Sequence, residues 1–137
     1  MTARLQTIGV VGAGQMGNGI AHVCAMAGYQ VLLNDAVPEL VQAGLATIDG
    51  NMARQVASGR ITEEVRKQAA ARIEPALTLD ALGESDLVIE SVTENETVKR
   101  KIFAELSPHL KPEAILATNT SSLSITRLAA STVPTPS

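Results

Sequence analysis

Aromatic side chains are nearly missing: among 137 residues there is no tryptophan, and Tyr29 and Phe103 stand alone as the tyrosine and the phenylalanine. Nucleic-acid bases that are gripped as single strands stack on aromatic platforms, so that mode of binding is excluded and any core must be aliphatic. Positive charge is not in excess either. Eleven Lys and Arg face fourteen Asp and Glu, for a net charge of −3, whereas phosphate backbones and anionic lipid surfaces both demand a basic patch. Neither nucleic acid nor a membrane is therefore expected as a partner. Cysteine is limited to Cys24, which cannot form an internal disulfide. Lying among Ala21, Val23, Ala25 and Ala27, it reads as a small buried hydrophobe, consistent with a cytoplasmic, reducing setting. Long apolar runs are lacking as well. No stretch approaches the eighteen or so residues of a membrane span, and five glycines between Gly9 and Gly19 interrupt what would otherwise pass for a signal peptide. Neither His22 nor His109 has a partner at a catalytic or metal-binding spacing, so no metal site is expected.

What the chain does have is an aliphatic content sufficient for one core, with 45% hydrophobic residues. Ile8 to Val11 is short, β-branched and bounded by glycine, which predicts a buried strand. A helix is expected from Gln15 to Ala27, stopped by Gly28, and a second strand at Val31 to Leu33. Pro38 then opens a long helix over Glu39 to Ala57, followed by a shorter one from Thr62 to Ala71. Strands are expected at Ile73 to Leu77, Leu87 to Ser91 and Ala114 to Ala117. Helices are expected from Asn95 to Leu110 and from Leu123 to Ala130. Strands that alternate with helices and read as unbroken aliphatic runs imply a Rossmann-type α/β fold, a doubly wound parallel sheet with helices on both faces. The polar, proline-broken end predicts a single domain over residues 1–131 and the start of a linker at 132–137.

Between the first strand and helix lies Gly12-Ala13-Gly14-Gln15-Met16-Gly17, a GxGxxG in the position that gives the pattern meaning. The first glycine permits a tight turn, the second admits a diphosphate to the backbone, and the third lets helix and strand pack closely. Phosphate would then meet the positive end of a helix. Glycine-rich turns also serve plain connections, but Asp35 stands eighteen residues beyond Gly17 at the end of the second strand. A carboxylate there can accept hydrogen bonds from the hydroxyls of an adenosine ribose. Ala36 and Val37 follow it without an arginine for a 2′-phosphate, which favours NAD over NADP. Met16, Met26 and Met52 are expected as core filler.

Two further groups lie where the carboxyl ends of parallel strands line a crevice. Glu94, Asn95 and Lys99 follow the fourth strand, either as ligand contacts or as an ordinary helix start with Lys99 solvated along with Arg100 and Lys101. Asn119, Thr120, Ser121 and Ser122 follow the fifth strand, either at a site or as a turn and helix cap.

Taken together, the segment from Val10 to Ala21, Asp35, Glu94-Asn95, Lys99 and Asn119-Thr120-Ser121-Ser122-Leu123 resemble the 3-hydroxyacyl-CoA dehydrogenase family, closest to its 3-hydroxybutyryl-CoA members. The resemblance spans nearly the whole chain. It implies oxidation of an (S)-3-hydroxyacyl-CoA to the 3-ketoacyl-CoA with hydride passing to NAD. Gly12, Ala13, Gly14, Gln15, Met16 and Gly17 would hold the diphosphate and Asp35 the ribose. Glu94 and Lys99 would lie along the cofactor and CoA path, and Ser121, with Asn119 beside it, would meet the substrate oxygen. The family's histidine base, its helical C-terminal domain and its homodimer contacts are expected beyond Ser137. Where some members place serine and lysine for CoA on the long helix, this chain has Asn51 and Ser58, a departure from that pattern. A stand-alone NAD-binding or redox-sensing module, and another dehydrogenase family of the same fold, are the competing readings.

Overall fold

The computed structural model describes residues 6–91 and 96–118. Its elements run β1 (Thr7–Val11), α1 (Gln15–Met26), β2 (Gln30–Asn34), α2 (Pro38–Ala57), α3 (Glu63–Ala71), β3 (Ile73–Ala76), β4 (Leu87–Glu90), α4 (Glu96–Leu106) and β5 (Ile115–Thr118). Short 3-10 turns cover Leu79–Leu82 and Ser107–His109. The five strands form one parallel sheet in the order β3-β2-β1-β4-β5.

Alternation along the strands builds two cores, because successive side chains point to opposite faces. Ile8 and Val10 of β1 join Val31 and Leu33 of β2 beneath α1, α2 and α3, where Ala21, Val41, Ile48, Met52 and Ala69 are buried. Val11 and Val88 point the other way, toward Leu82 of the first 3-10 turn and Leu106 of α4. Both faces of the sheet are thus covered, as expected for a doubly wound fold. Each fully buried Val or Leu contributes about 1.5–3 kcal/mol of apolar transfer, so both clusters are needed.

Local chemistry sets the boundaries. Thr62 caps α3, its hydroxyl accepting from the Val65 N–H at 3.2 Å. Pro38 occupies the first turn of α2, where its missing N–H costs nothing. The fourth helix ends at Leu106 instead of running on to Leu110, and Pro108 gives the reason. Proline disfavours helical backbone at the residue before it, and the chain continues as a 3-10 turn. Strand β3 tolerates Pro75 because it is an edge strand, and the strand stops at Ala76 rather than Leu77. Met52 is buried as expected, but Met16 is 60% exposed and is not core filler. It sits on the first turn of α1, on the open side. The expected helix at 123–130 and the linker at 132–137 lie outside the described residues.

One polar knot fastens the amino-terminal edge. The Asp86 carboxylate accepts the backbone N–H groups of Gln6 (2.8 Å) and Thr7 (3.0 Å) and pairs with Lys111. The Lys111 ammonium above all, then those two N–H groups, lowers the Asp86 carboxyl to about 2.

Candidate functional site

The strand order reverses direction between β1 and β4: α1 leads from β1 toward β2, and α4 leads from β4 the other way toward β5. Carboxyl ends of neighbouring strands splay from one another at such a point and leave a crevice. The glycine turn sits at its mouth. Gly12 takes φ +104°, a left-handed backbone that disfavours any side chain, and its N–H donates to the Asn34 carbonyl at 2.7 Å. A Cβ on Gly17 would fall 1.6 Å from the Gly12 carbonyl oxygen, and one on Gly44 of α2 would fall 2.9 Å from that of Ala13. A Cβ on Gly14 meets nothing within 4 Å. The turn is therefore packed tight on its inner side and open at Gly14.

Helix α1 starts from Gly14 without a side-chain cap and carries no acidic residue in its first turn. Its positive end has no carboxylate of that turn to neutralise it, and Gly14, Gln15 and Met16 are exposed there. First-turn N–H groups have no partner within a helix and accept an anion readily.

Asp35 follows β2 beside this turn. One carboxylate oxygen accepts the Ala13 N–H at 2.9 Å and the other the Val37 N–H at 3.0 Å. The side chain thus supports the turn itself, a role that sequence spacing did not reveal. Each oxygen still has a lone pair for a hydroxyl donor. Open space at Gly14, a positive helix end and a carboxylate beside it together fit the diphosphate and ribose of a dinucleotide.

The other flank of the crevice removes one of the two readings of Lys99. Lys99 is not solvated: it and Glu90, the last residue of β4, form an ion pair in which both side chains are fully buried. Arg100 and Lys101 are exposed, as a wet helix face requires. Glu90 went unnoticed in the sequence, although an acid closing the aliphatic run Leu87-Val-Ile-Glu90 was a usable signal. Ser91 was missed as well. Its hydroxyl lies 3.2 Å from the Val11 carbonyl and 3.3 Å from that of Gly12, and donates to them, linking the end of β4 to the glycine turn. Glu94, Asn95, Asn119, Thr120, Ser121 and Ser122 lie outside the described residues.

Away from the crevice, Asn51 and Ser58 line an open groove with His22, Arg54, Gln55 and Arg60. His22 Nε2 is 3.1 Å from the Gln55 amide oxygen, and His109 is exposed on its turn. Cys24 packs half-buried against the first core, and burial raises its thiol. Among the described residues no trio of His, Cys, Asp or Glu is grouped to hold a metal, and no helix is long and apolar enough to cross a membrane.

Comparison with known proteins agrees with this geometry. The family described as 3-hydroxyacyl-CoA dehydrogenase, NAD binding domain, matches residues 7–136. The chain is 58% identical over 132 residues to a 3-hydroxybutyryl-CoA dehydrogenase of Bradyrhizobium diazoefficiens, covering 96% of this chain and 45% of that protein. It is 40% identical over 130 residues to the 3-hydroxyadipyl-CoA dehydrogenase of Escherichia coli, covering 95% and 27%. The crystal structure of an (S)-3-hydroxybutyryl-CoA dehydrogenase from Ralstonia eutropha matches with a TM-score of 0.90 at 42% identity, covering 94% of this chain and 46% of that one. This chain spans less than half the length of each of these proteins.

Proposed function

The chain belongs to the family of 3-hydroxyacyl-CoA dehydrogenase NAD-binding domains, and on that premise we propose that it is the cofactor half of an enzyme acting on (S)-3-hydroxyacyl-CoA, with 3-hydroxybutyryl-CoA as the favoured substrate. NAD bound here would supply the hydride acceptor for C3 of the acyl chain. The residues of this chain do the holding. The backbone from Gly12 to Gly17 receives the diphosphate, and Asp35 takes the adenosine ribose while excluding a 2′-phosphate by like charge. Glu94 and Lys99 border the path beyond the diphosphate, and Ser121 and Asn119 meet the substrate oxygen.

By the same resemblance, the hydroxyl proton passes to a histidine backed by a glutamate outside residues 1–137. Residues 1–131 form the cofactor domain, 132–137 begin the connection to a helical domain, and the complete enzyme is a cytoplasmic homodimer. The observation that carries the reading is the glycine turn, closed at Gly17, open at Gly14 and flanked by Asp35. The dehydrogenase names of the relatives favour it over a module that binds NAD without chemistry.

The test is an NADH fluorescence titration beside steady-state turnover of acetoacetyl-CoA, for this chain and for one extended to the length of its relatives. Both should bind NADH, and only the longer should turn over, since a general base typically contributes about 10² to 10⁴ in rate. A chain that does not bind NADH, or an extended one inert toward acetoacetyl-CoA, overturns the proposal.

A further inference from the structure

One peptide group of the glycine turn is held at both ends. The peptide that joins Gly12 to Ala13 gives its N–H to Asp35, which accepts it at 2.9 Å from beyond the end of β2. Its carbonyl, that of Gly12, lies 3.3 Å from the hydroxyl of Ser91, which follows β4 on the opposite side of β1. The same hydroxyl is 3.2 Å from the Val11 carbonyl and shares its single hydrogen between the two. Ser91 is anchored in turn, because its backbone N–H donates to the Val11 carbonyl at 2.9 Å and carries the β1–β4 pairing one residue past Glu90.

The hydroxyl fits there because two glycines leave it room. A Cβ on Gly12 would lie 3.1 Å from the Ser91 oxygen, and one on Gly17 would lie 2.9 Å from it. The Gly12 carbonyl points into this packed inner side, toward Gly17. Nothing in glycine's own backbone imposes that direction, since glycine takes the widest range of conformations of any residue. The contacts have to set it. A carbonyl turned toward the crevice would put its negative end where a diphosphate approaches, against the N–H groups at the start of α1 that would receive it. Asp35 holds one end of this peptide and Ser91 the other.

We propose that Ser91 is a positioning residue for the cofactor's diphosphate: its hydroxyl keeps the Gly12 carbonyl turned inward, so that the glycine turn presents N–H groups rather than a carbonyl to the crevice. The proposal rests on the dinucleotide reading above, and the test separates the two. The hydroxyl's hydrogen goes to backbone carbonyls, so Ser91→Ala leaves every residue assigned to the ligand in place. The variant's melting temperature is measured together with its affinities for NADH, for ADP-ribose and for adenosine. ADP-ribose keeps the diphosphate without the nicotinamide, and adenosine keeps the ribose without any phosphate. Binding is measured well below the melting transition, by fluorescence for NADH, calorimetry for ADP-ribose and NMR shift titration for adenosine. A loss of stability alone then leaves all three affinities unchanged.

The expected result is a folded variant that binds NADH and ADP-ribose about fivefold more weakly, by the same factor, with adenosine binding unchanged; fivefold is what one hydrogen bond between neutral groups is worth. Unchanged NADH affinity in the folded variant means that the hydroxyl only ties β4 to β1, and overturns the proposal. Adenosine weakened as much as the other two overturns it, because the effect then lies at the ribose. NADH weakened with ADP-ribose unchanged overturns it as well, because the effect then lies beyond the diphosphate. If Ser91→Ala does not fold, Ser91→Cys, which puts a weaker donor at the same place, carries the same comparison with the same outcomes. Failure of the unmodified chain to bind NADH removes the dinucleotide reading itself, and the proposal with it.

Discussion

The Gly17 Cα lies so close to the Gly12 carbonyl that a Cβ there would sit 1.6 Å from the oxygen. Nothing at that distance can be relieved by a rotamer change, because the obstacle is backbone. The same turn leaves Gly14 with open space where a Cβ would be. Two glycines three residues apart thus serve opposite ends, one for folding and one for ligand access.

Gly17→Ala is accordingly expected to displace α1 from β1 and cost about 1–3 kcal/mol, the usual range for overpacking, with NADH binding lost as well. Gly14→Ala should melt near the unmodified chain yet bind NADH at least about tenfold more weakly, since a methyl group would occupy the diphosphate's approach. Thermal melts and NADH titrations on both variants check this. Equal destabilisation of the two would mean that Gly14 is structural.

Asp35 is expected to act twice, on the turn and on the cofactor. Asp35→Ala removes the acceptor for the Ala13 and Val37 N–H groups, so stability and NADH affinity should fall together. Asp35→Asn keeps one acceptor oxygen and the size of the side chain. It should fold, bind NADH about tenfold more weakly, and lose most of its discrimination against NADPH, because a charged acceptor is worth about 1.5–3 kcal/mol. Calorimetry with both cofactors decides the matter. Equal affinity of the unmodified chain for NADH and NADPH contradicts the assigned role.

Asp86 predicts a pH dependence of stability. Its folded carboxyl titrates at about 2, below the ordinary 3.8, so it holds fewer protons folded than unfolded just below pH 4. Its stabilisation is complete above about pH 4 and is lost as pH falls through about 2. With the side chain 17% exposed, solvent screens part of the effect. Asp86→Asn should cost about 1–2 kcal/mol at neutral pH. The gap between the two chains should close as denaturant unfolding is repeated from pH 4 toward pH 2. A gap independent of pH would show that the carboxylate's charge contributes nothing.

Local pattern alone determined much of this protein. Aliphatic runs bounded by glycine gave strands, Pro38 and Thr62 marked helix starts, and the order of strand, glycine turn, helix, strand and acid pointed to the cofactor. Each of those signals acts through the backbone of its own segment or through a neighbour a few residues away, so it can be read without the fold. The tertiary structure decided what depends on distant neighbours. Met16 looked like core and is exposed, because its face of α1 turns to the open side of the crevice rather than to the sheet. Spacing left Lys99 either as a ligand contact or as a solvated neighbour of Arg100 and Lys101, and it is buried because α4 lies against the end of β4 with Glu90 there to receive it. Asp35 looked like a ribose ligand alone, and it also supports the glycine turn, since β1 and β2 are neighbours in the sheet and bring Ala13 within reach. Burial and ion pairing are properties of what arrives from elsewhere in the chain, and only the packing of strands and helices settles what arrives.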